Sequence, residues 1–219
     1  MTAVTSLPAQ EVGTLADLLE QLGNVPLNRI RVDPPPGTAT EEHVIRAEGH
    51  TGRCCELIDG VLVEKTMGYL ESLLAGAILE ALRQFARTRN LGIVLGADGT
   101  LRILPRQVRI PDVCFIRWDR FPGGKLPQVP IPSIAPDLAV EVLSSGNTEA
   151  EMERKLREYF EAGTELVWYV DPASRSVTVY TAPNQSTVLD ADATLTGGDV
   201  LPGFTLSLRD LFAETGEAT

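Results

Sequence analysis

Histidine and cysteine are scarce in this chain, with two of the first and three of the second among 219 residues. Cys54 and Cys55 are neighbours and Cys114 stands alone inside the apolar run "VCFI". That pattern offers neither the paired spacing of a zinc ribbon nor a disulfide framework, and His43 and His50 are too few to complete a structural zinc site. Long hydrophobic runs are also missing. No window approaches the eighteen uninterrupted apolar residues of a membrane span, and "MTAVTSLPAQEVG" lacks the basic start and apolar middle of a signal peptide. The expectation is a soluble, cytoplasmic protein without a membrane partner. Aromatic residues make up only 5% of the chain, which weighs against a sugar groove worked by two carboxyl groups. Net positive charge is absent too: the balance is −11, with a pI near 4.7. A chain of that sign does not grip nucleic acid non-specifically, because phosphate binding depends on Lys and Arg releasing counterions.

What basic character there is lies unevenly. The stretch "LRILPRQVRIPDVCFIRWDRFPGGK" carries Arg102, Arg106, Arg109, Arg117, Arg120 and Lys125 against Asp112 and Asp119. It reads either as a charge-mixed sheet edge or as a patch for phosphate-backbone contacts. With 43% hydrophobic residues, the chain can bury one substantial core. Residues 1–50 read as an N-terminal extension: a helix in "TLADLLEQL" stopped by Gly23, the proline-stiffened "RVDPPPGTATEEHVIRA", and a short helix capped by Thr40. Residues 51–219 read as the domain proper. It opens with a hairpin turning at Asp59-Gly60, followed by a helix from Tyr69 to Thr88 with Leu74, Ile78, Leu82 and Phe85 on one stripe. Three strand-like runs come next, "IVLGADGTLRIL", "VRIPDVCFI" and "PDLAVEVLS". A helix from Thr148 to Ala162 begins with the capping-box pair Thr148 and Glu151, and strands "ELVWYVD" and "SVTVYTA" follow it. Turns at "TGGDVLPG" and an amphipathic "LSLRDLF" end the chain. The order β-β-α-β-β-β-α-β-β predicts an α/β fold, a central mixed sheet flanked by helices.

Glu141 is the residue that asks for an explanation. It sits in the apolar strand "DLAVEVL", four residues after Asp137. An ionised carboxylate buried alone costs several kcal/mol, so it must be protonated, paired with a cation or bound to a metal. Asp112, after Pro111 and before another apolar run, is either a strand-initiating aspartate or a second carboxylate entering the sheet. Two such carboxylates repel unless something cationic separates them, and a hard divalent ion, Mg2+ or Mn2+, is the economical answer. Glu71 falls on the apolar stripe of its helix, though near the start, where the helix dipole favours it in any surroundings. The strand offers no lysine, but the next helix does. Glu141 lies about 10 Å back along the strand from Ser144, and Lys155 lies about 10.5 Å along the helix from Thr148. If that helix folds back through "SSGN", the two side chains arrive at similar height, and Lys155 borders the stripe formed by Met152, Leu156 and Tyr159. A lysine there either snorkels over the stripe or reaches inward.

Taken together, "ELIDGVLVEK", "RIPDVCFI", "PDLAVEVLS", "ERKLREYFEAGTELVWYVDP", "VTVY" and "LTGGDVLPGF" resemble the bacterial Uma-two family of endonucleases, whose fold is that of the PD-(D/E)XK nucleases. The resemblance runs from about Cys55 to Phe212. It implies a restriction-endonuclease-like fold and Mg2+-dependent (or Mn2+-dependent) hydrolysis of DNA phosphodiester bonds, with DNA as partner and a homodimer by analogy. By the same resemblance, Pro111-Asp112 correspond to the family's "PD" and Glu141 to the acid of "(D/E)XK". Val142 would lend its carbonyl to the metal, Leu143 occupies the usual lysine position, and Lys155 takes that lysine's role from the helix. Glu71 resembles an additional helix carboxylate, where family members often carry a histidine. A competing expectation is a catalytically weak nuclease-fold protein acting as a nucleic-acid-binding or assembly module.

Overall fold

The computed structural model describes residues 13–51 and 54–216; the first twelve residues of the extension lie outside it. Helix α1 (Leu15–Gln21) starts with a reciprocal capping box between Thr14 and Asp17. Helix α2 (Glu41–Thr51) follows the proline-rich connector. Strands β1 (Cys55–Ile58) and β2 (Val61–Glu64) pair antiparallel about Asp59 and Gly60. Both turn residues take positive φ, 50° and 84°, as a two-residue type I′ hairpin requires. Helix α3 (Tyr69–Arg89) ends on Asn90 in the left-handed region, close to the boundaries that its periodicity predicts.

Two of the three strand-like runs divide. "IVLGADGTLRIL" becomes β3 (Gly92–Leu95) and β4 (Leu101–Leu104), and "VRIPDVCFI" becomes β5 (Gln107–Arg109) and β6 (Val113–Arg117). A turn closed by the bond from Gly99 N–H to the Gly96 carbonyl separates the first pair. Pro111, which has no N–H to give a ladder, separates the second. The halves go to different sheets: β4 and β5 join the hairpin in the order β2-β1-β5-β4. The third run is β7 (Leu138–Val142), which leads into α4 (Glu149–Glu161), β8 (Leu166–Asp171) and β9 (Ser176–Ala182). Beyond β9 the chain forms more strand than expected: β10 (Gln185–Leu189), β11 (Thr194–Gly197) and β12 (Leu201–Ser207) before α5 (Leu208–Ala213). β10 is mostly exposed and β12 contains Pro202 and Gly203, so neither carries the buried alternation that marks a strand in sequence.

The main sheet runs β10-β9-β8-β7-β6-β3. It is mixed, with β7 and β8 parallel and joined through α4. Both faces are covered, which explains why β7 reads as an almost unbroken apolar run. One face carries Leu138, Val140 and Val142 against Leu74, Ile78 and Leu82 of α3 and Phe204, Leu208 and Phe212. The other carries Cys114, Ala139, Val167 and Tyr169 against Met152, Leu156 and Tyr159 of α4. Glu141, two residues on from Ala139, points to the α4 face. The smaller sheet is packed by α2 around Leu57, Leu62 and Val108, and by the α1 segment around Leu22, Val25 and Val63.

Candidate active site

Asp112 stands where β6 leaves the ladder. Its N–H still bonds the Val140 carbonyl (3.1 Å), and its Oδ2 then accepts from the Val142 N–H (2.7 Å). The side chain thus accepts a ladder N–H of β7 in place of a backbone carbonyl, and this fixes the carboxylate beside β7. The Val142 carbonyl points to the same edge as its N–H, as strand geometry dictates. Asp112 is 5% exposed and Glu141 4%.

Glu141 meets the lysine that helical height predicts. Lys155 Nζ lies 3.1 Å from Glu141 Oε2, and the Tyr159 hydroxyl donates to Oε1 at 2.6 Å. Arg154 and Arg157 turn elsewhere, the first to Asp59 and Glu158 and the second to exposed Glu153. Burial raises the proton affinity of Glu141; Lys155 opposes that rise and the nearby charge of Asp112 adds to it. Burial likewise disfavours the charge on Lys155, but Glu141 and Glu56 outweigh it and raise the pKa above its ordinary value of 10.5. At neutral pH Lys155 is therefore an ammonium donor and not a base.

Four further residues belong to this cluster; sequence reading counted Arg109 only in the basic stretch, where it is in fact buried, and did not single out the other three. Glu56 on β1 lies 3.3 Å from Lys155, receives the Ile110 N–H at 3.0 Å and pairs with Arg109 at 2.7 Å. Arg109 also holds Glu158 of α4, with Nε at 2.8 Å. Lys65, just past β2, lies 2.8 Å from Asp112 Oδ1. Burial works against the charge of Glu56, yet Lys155 and Arg109 hold its carboxyl well below the ordinary carboxylate range. The signal that marks Glu141, a lone carboxylate in an apolar strand, was present at Glu56 in "CCELI".

Glu71 is placed differently. It is the third residue of α3, and its carboxylate folds back over Gly68, leaving no room for a side chain there. Among the described residues no group of three or more Asp, Glu, His or Cys side chains is close enough to hold a metal ion, so Glu71 does not join Asp112 and Glu141 in one cluster. The arginine-rich stretch is mostly spent on internal pairs: Arg102 with Glu41, Arg117 and Arg120 with Asp137, and Arg106 with the carbonyls of Gly37 and Asp59. Trp168, a candidate base-stacking residue by type, is fully buried against Phe204. A groove of about 610 Å3 runs between α3 and β3 past Arg83, Arg87 and Trp118. None of the clustered charges lines it, so groove size does not locate this site.

The residues suit a hard divalent ion. Glu56, Asp112, Glu141 and Glu158 face Lys65, Arg109 and Lys155, and adding the Arg154–Asp59 pair leaves the same excess of one carboxylate. Asp112, Glu141 and the Val142 carbonyl are oxygen donors. A Mg2+ site normally takes one or two carboxylates and leaves its remaining positions to water and phosphate.

The central mixed sheet flanked by helices makes this a restriction-endonuclease-like α/β protein, with Asp112 just before β6, Glu141 within β7 and Lys155 on the crossover helix. Residues 41–209 match the family model described as "Uma2: Putative restriction endonuclease", and the chain belongs to that family. A crystal structure described as a "putative nuclease belonging to DUF820" from Anabaena variabilis shares the fold. It aligns over 74% of this chain and 90% of its own, with a TM-score of 0.66 and 22% identity. Among curated proteins none matches the chain. No helix among the described residues is long and apolar enough to cross a membrane.

Proposed function

We propose that this protein is a divalent-metal-dependent endonuclease that hydrolyses DNA phosphodiester bonds. The observation that carries the reading is the pair of nearly closed-off carboxylates, Asp112 and Glu141, with one of them held by an ammonium from the crossover helix. Family membership supports a nucleic-acid substrate. Asp112, Glu141 and the Val142 carbonyl would hold Mg2+ or Mn2+, with Glu71 outside the direct set. Bound there, the ion would polarise the phosphate and lower the pKa of a water. Lys155 would orient an attacking water and offset charge developing on the transferring phosphate. Glu56 holds Lys155 in its protonated form, and Tyr159 fixes the rotamer of Glu141 by donating to its second oxygen.

A second reading, a binding or assembly module without turnover, draws support from the inward pairing of the arginines and the net charge of −11. One experiment separates the two. Calorimetry with Mg2+ and Mn2+ would be run on the wild type, Asp112→Ala and Glu141→Ala, with supercoiled-plasmid nicking on the same preparations. The nuclease reading expects binding and nicking in the wild type and neither in the variants. Wild-type protein that binds no metal at millimolar concentration would leave the module reading standing.

A further inference from the structure

Lys65 is buried further than a lysine at a strand end needs to be, with its side chain 9% exposed. The Lys65 N–H bonds the Cys54 carbonyl at 2.9 Å, so the backbone extends the hairpin while the side chain runs inward beneath it. Its ammonium meets Asp112 Oδ1 at 2.8 Å, the Ile110 carbonyl at 2.5 Å and the Ala97 carbonyl at 3.5 Å. An ammonium has three donors, and each meets one oxygen. One carboxylate and two backbone carbonyls are also the donors that a hard cation takes from a protein. Lys155 is held differently, between the two carboxylates of Glu141 and Glu56.

From this geometry we infer that Lys65 is a tethered resident cation of the site, which a divalent ion must displace from Asp112 in order to bind. Lys65 takes Asp112 Oδ1 and the Val142 N–H takes Oδ2, so a divalent ion brought to this carboxylate meets the ammonium's like charge at contact range. The lysine stem is flexible enough to swing aside. Loading is then an exchange of cations, and the metal-free protein keeps Asp112 paired. The inference rests on the metal-dependent reading above and adds to it a residue that lowers metal affinity. An opposite charge within contact distance changes a carboxylate's affinity for a competing cation, the proton, by about one to three powers of ten. Removing Lys65 is expected to tighten metal binding on that scale.

The test uses the full-length protein with Mn2+ alone as the probe, read by calorimetry and by thermal melting with and without the ion. The proteins are the wild type, Lys65→Gln, Lys65→Arg and the double variant Lys65→Gln/Asp112→Asn. The expected result is Mn2+ binding at least about tenfold tighter in Lys65→Gln than in the wild type, with Lys65→Arg like the wild type and the double variant silent. Lys65→Gln should also melt lower than the wild type without Mn2+, and Mn2+ should raise its melting temperature by more than it raises that of the wild type, which loss of a purely structural strut with unchanged affinity would not produce. Equal or weaker binding by Lys65→Gln, beside a wild type that binds, overturns the exchange and leaves the metal reading intact. An absence of binding in every protein overturns both. Failure of Mn2+ to raise the melting temperature of Lys65→Gln, or to fold it if it is unfolded alone, counts equally against the exchange.

Discussion

Replacing Lys155 with methionine keeps the stem and removes the ammonium, so it isolates the charge. The side chain is 5% exposed and touches Glu141 at 3.1 Å and Glu56 at 3.3 Å. Breaking a buried ion pair from one side costs about 3–5 kcal/mol, because the partner is left desolvated and unpaired. Here the lower end applies: Glu56 keeps Arg109 and the Ile110 N–H, and Glu141 keeps the Tyr159 hydroxyl. A loss of about 3 kcal/mol lowers the melting temperature of a chain this size by about 6–12 °C. The pH dependence gives a sharper test. Burial already raises the pKa of Glu141 and Lys155 is the main group holding it down, so in Lys155→Met the carboxyl's pKa rises further. Protonation is easier at lower pH, so the penalty must shrink from pH 7 to pH 5. Urea unfolding followed by circular dichroism measures this, with Lys155→Met/Glu141→Gln expected to regain most of the loss. A single variant within about 1 kcal/mol of the wild type at pH 7, or a penalty that is the same at both pH values, would refute the argument that this contact is a buried charge pair.

Other outcomes follow from the same geometry. Arg29 is 6% exposed and grips Glu151 of α4 through two bonds of 2.9 and 2.7 Å; Arg29→Met should cost about 3–5 kcal/mol in urea unfolding, and Arg29→Met/Glu151→Met should recover much of it. Glu56 has its carboxyl held well below the ordinary value of 4.5, so its contribution is complete above that pH and is lost as pH falls through the lower folded value. Glu56→Gln should therefore flatten the fall in unfolding free energy between pH 5 and pH 2, and an unchanged acid limb would contradict the pairing. Glu71→Ala should cost only about 0.5–1 kcal/mol, the value of a carboxylate in the first turn of a helix, and should leave Mn2+ affinity unchanged in calorimetry; weaker binding would bring Glu71 into the site.

The elements most legible in sequence are those decided within a few residues of themselves. The Asp59-Gly60 turn, α3 and the Thr148 cap of α4 all form where local pattern places them. The cap, however, does only half of what its pattern implies. Thr148 accepts the Glu151 N–H at 3.1 Å, while the Glu151 carboxylate turns to Arg29 of the extension. The divided runs at Gly96–Gly99 and Pro111 carried their punctuation openly, but nothing local says that β3 and β6 belong to one sheet and β4 and β5 to another.

By itself the sequence determined that a carboxylate lies inside an apolar strand and that an aspartate follows Pro111, and it set Lys155 at the height of Glu141 on the condition that α4 folds back over β7. Each follows from a fixed rise per residue and the alternation of faces. Tertiary structure alone decided which other charges share that interior. Arg109 joins Glu56, 53 residues earlier, to Glu158, 49 residues later, and Lys65 reaches the Ile110 carbonyl across 45 residues. Local periodicity assigns a side chain to a face but not to a partner. The partner depends on strand order and on the crossing of α4 over two sheets, and burial makes each unpaired charge costly enough that the final arrangement must satisfy all of them at once.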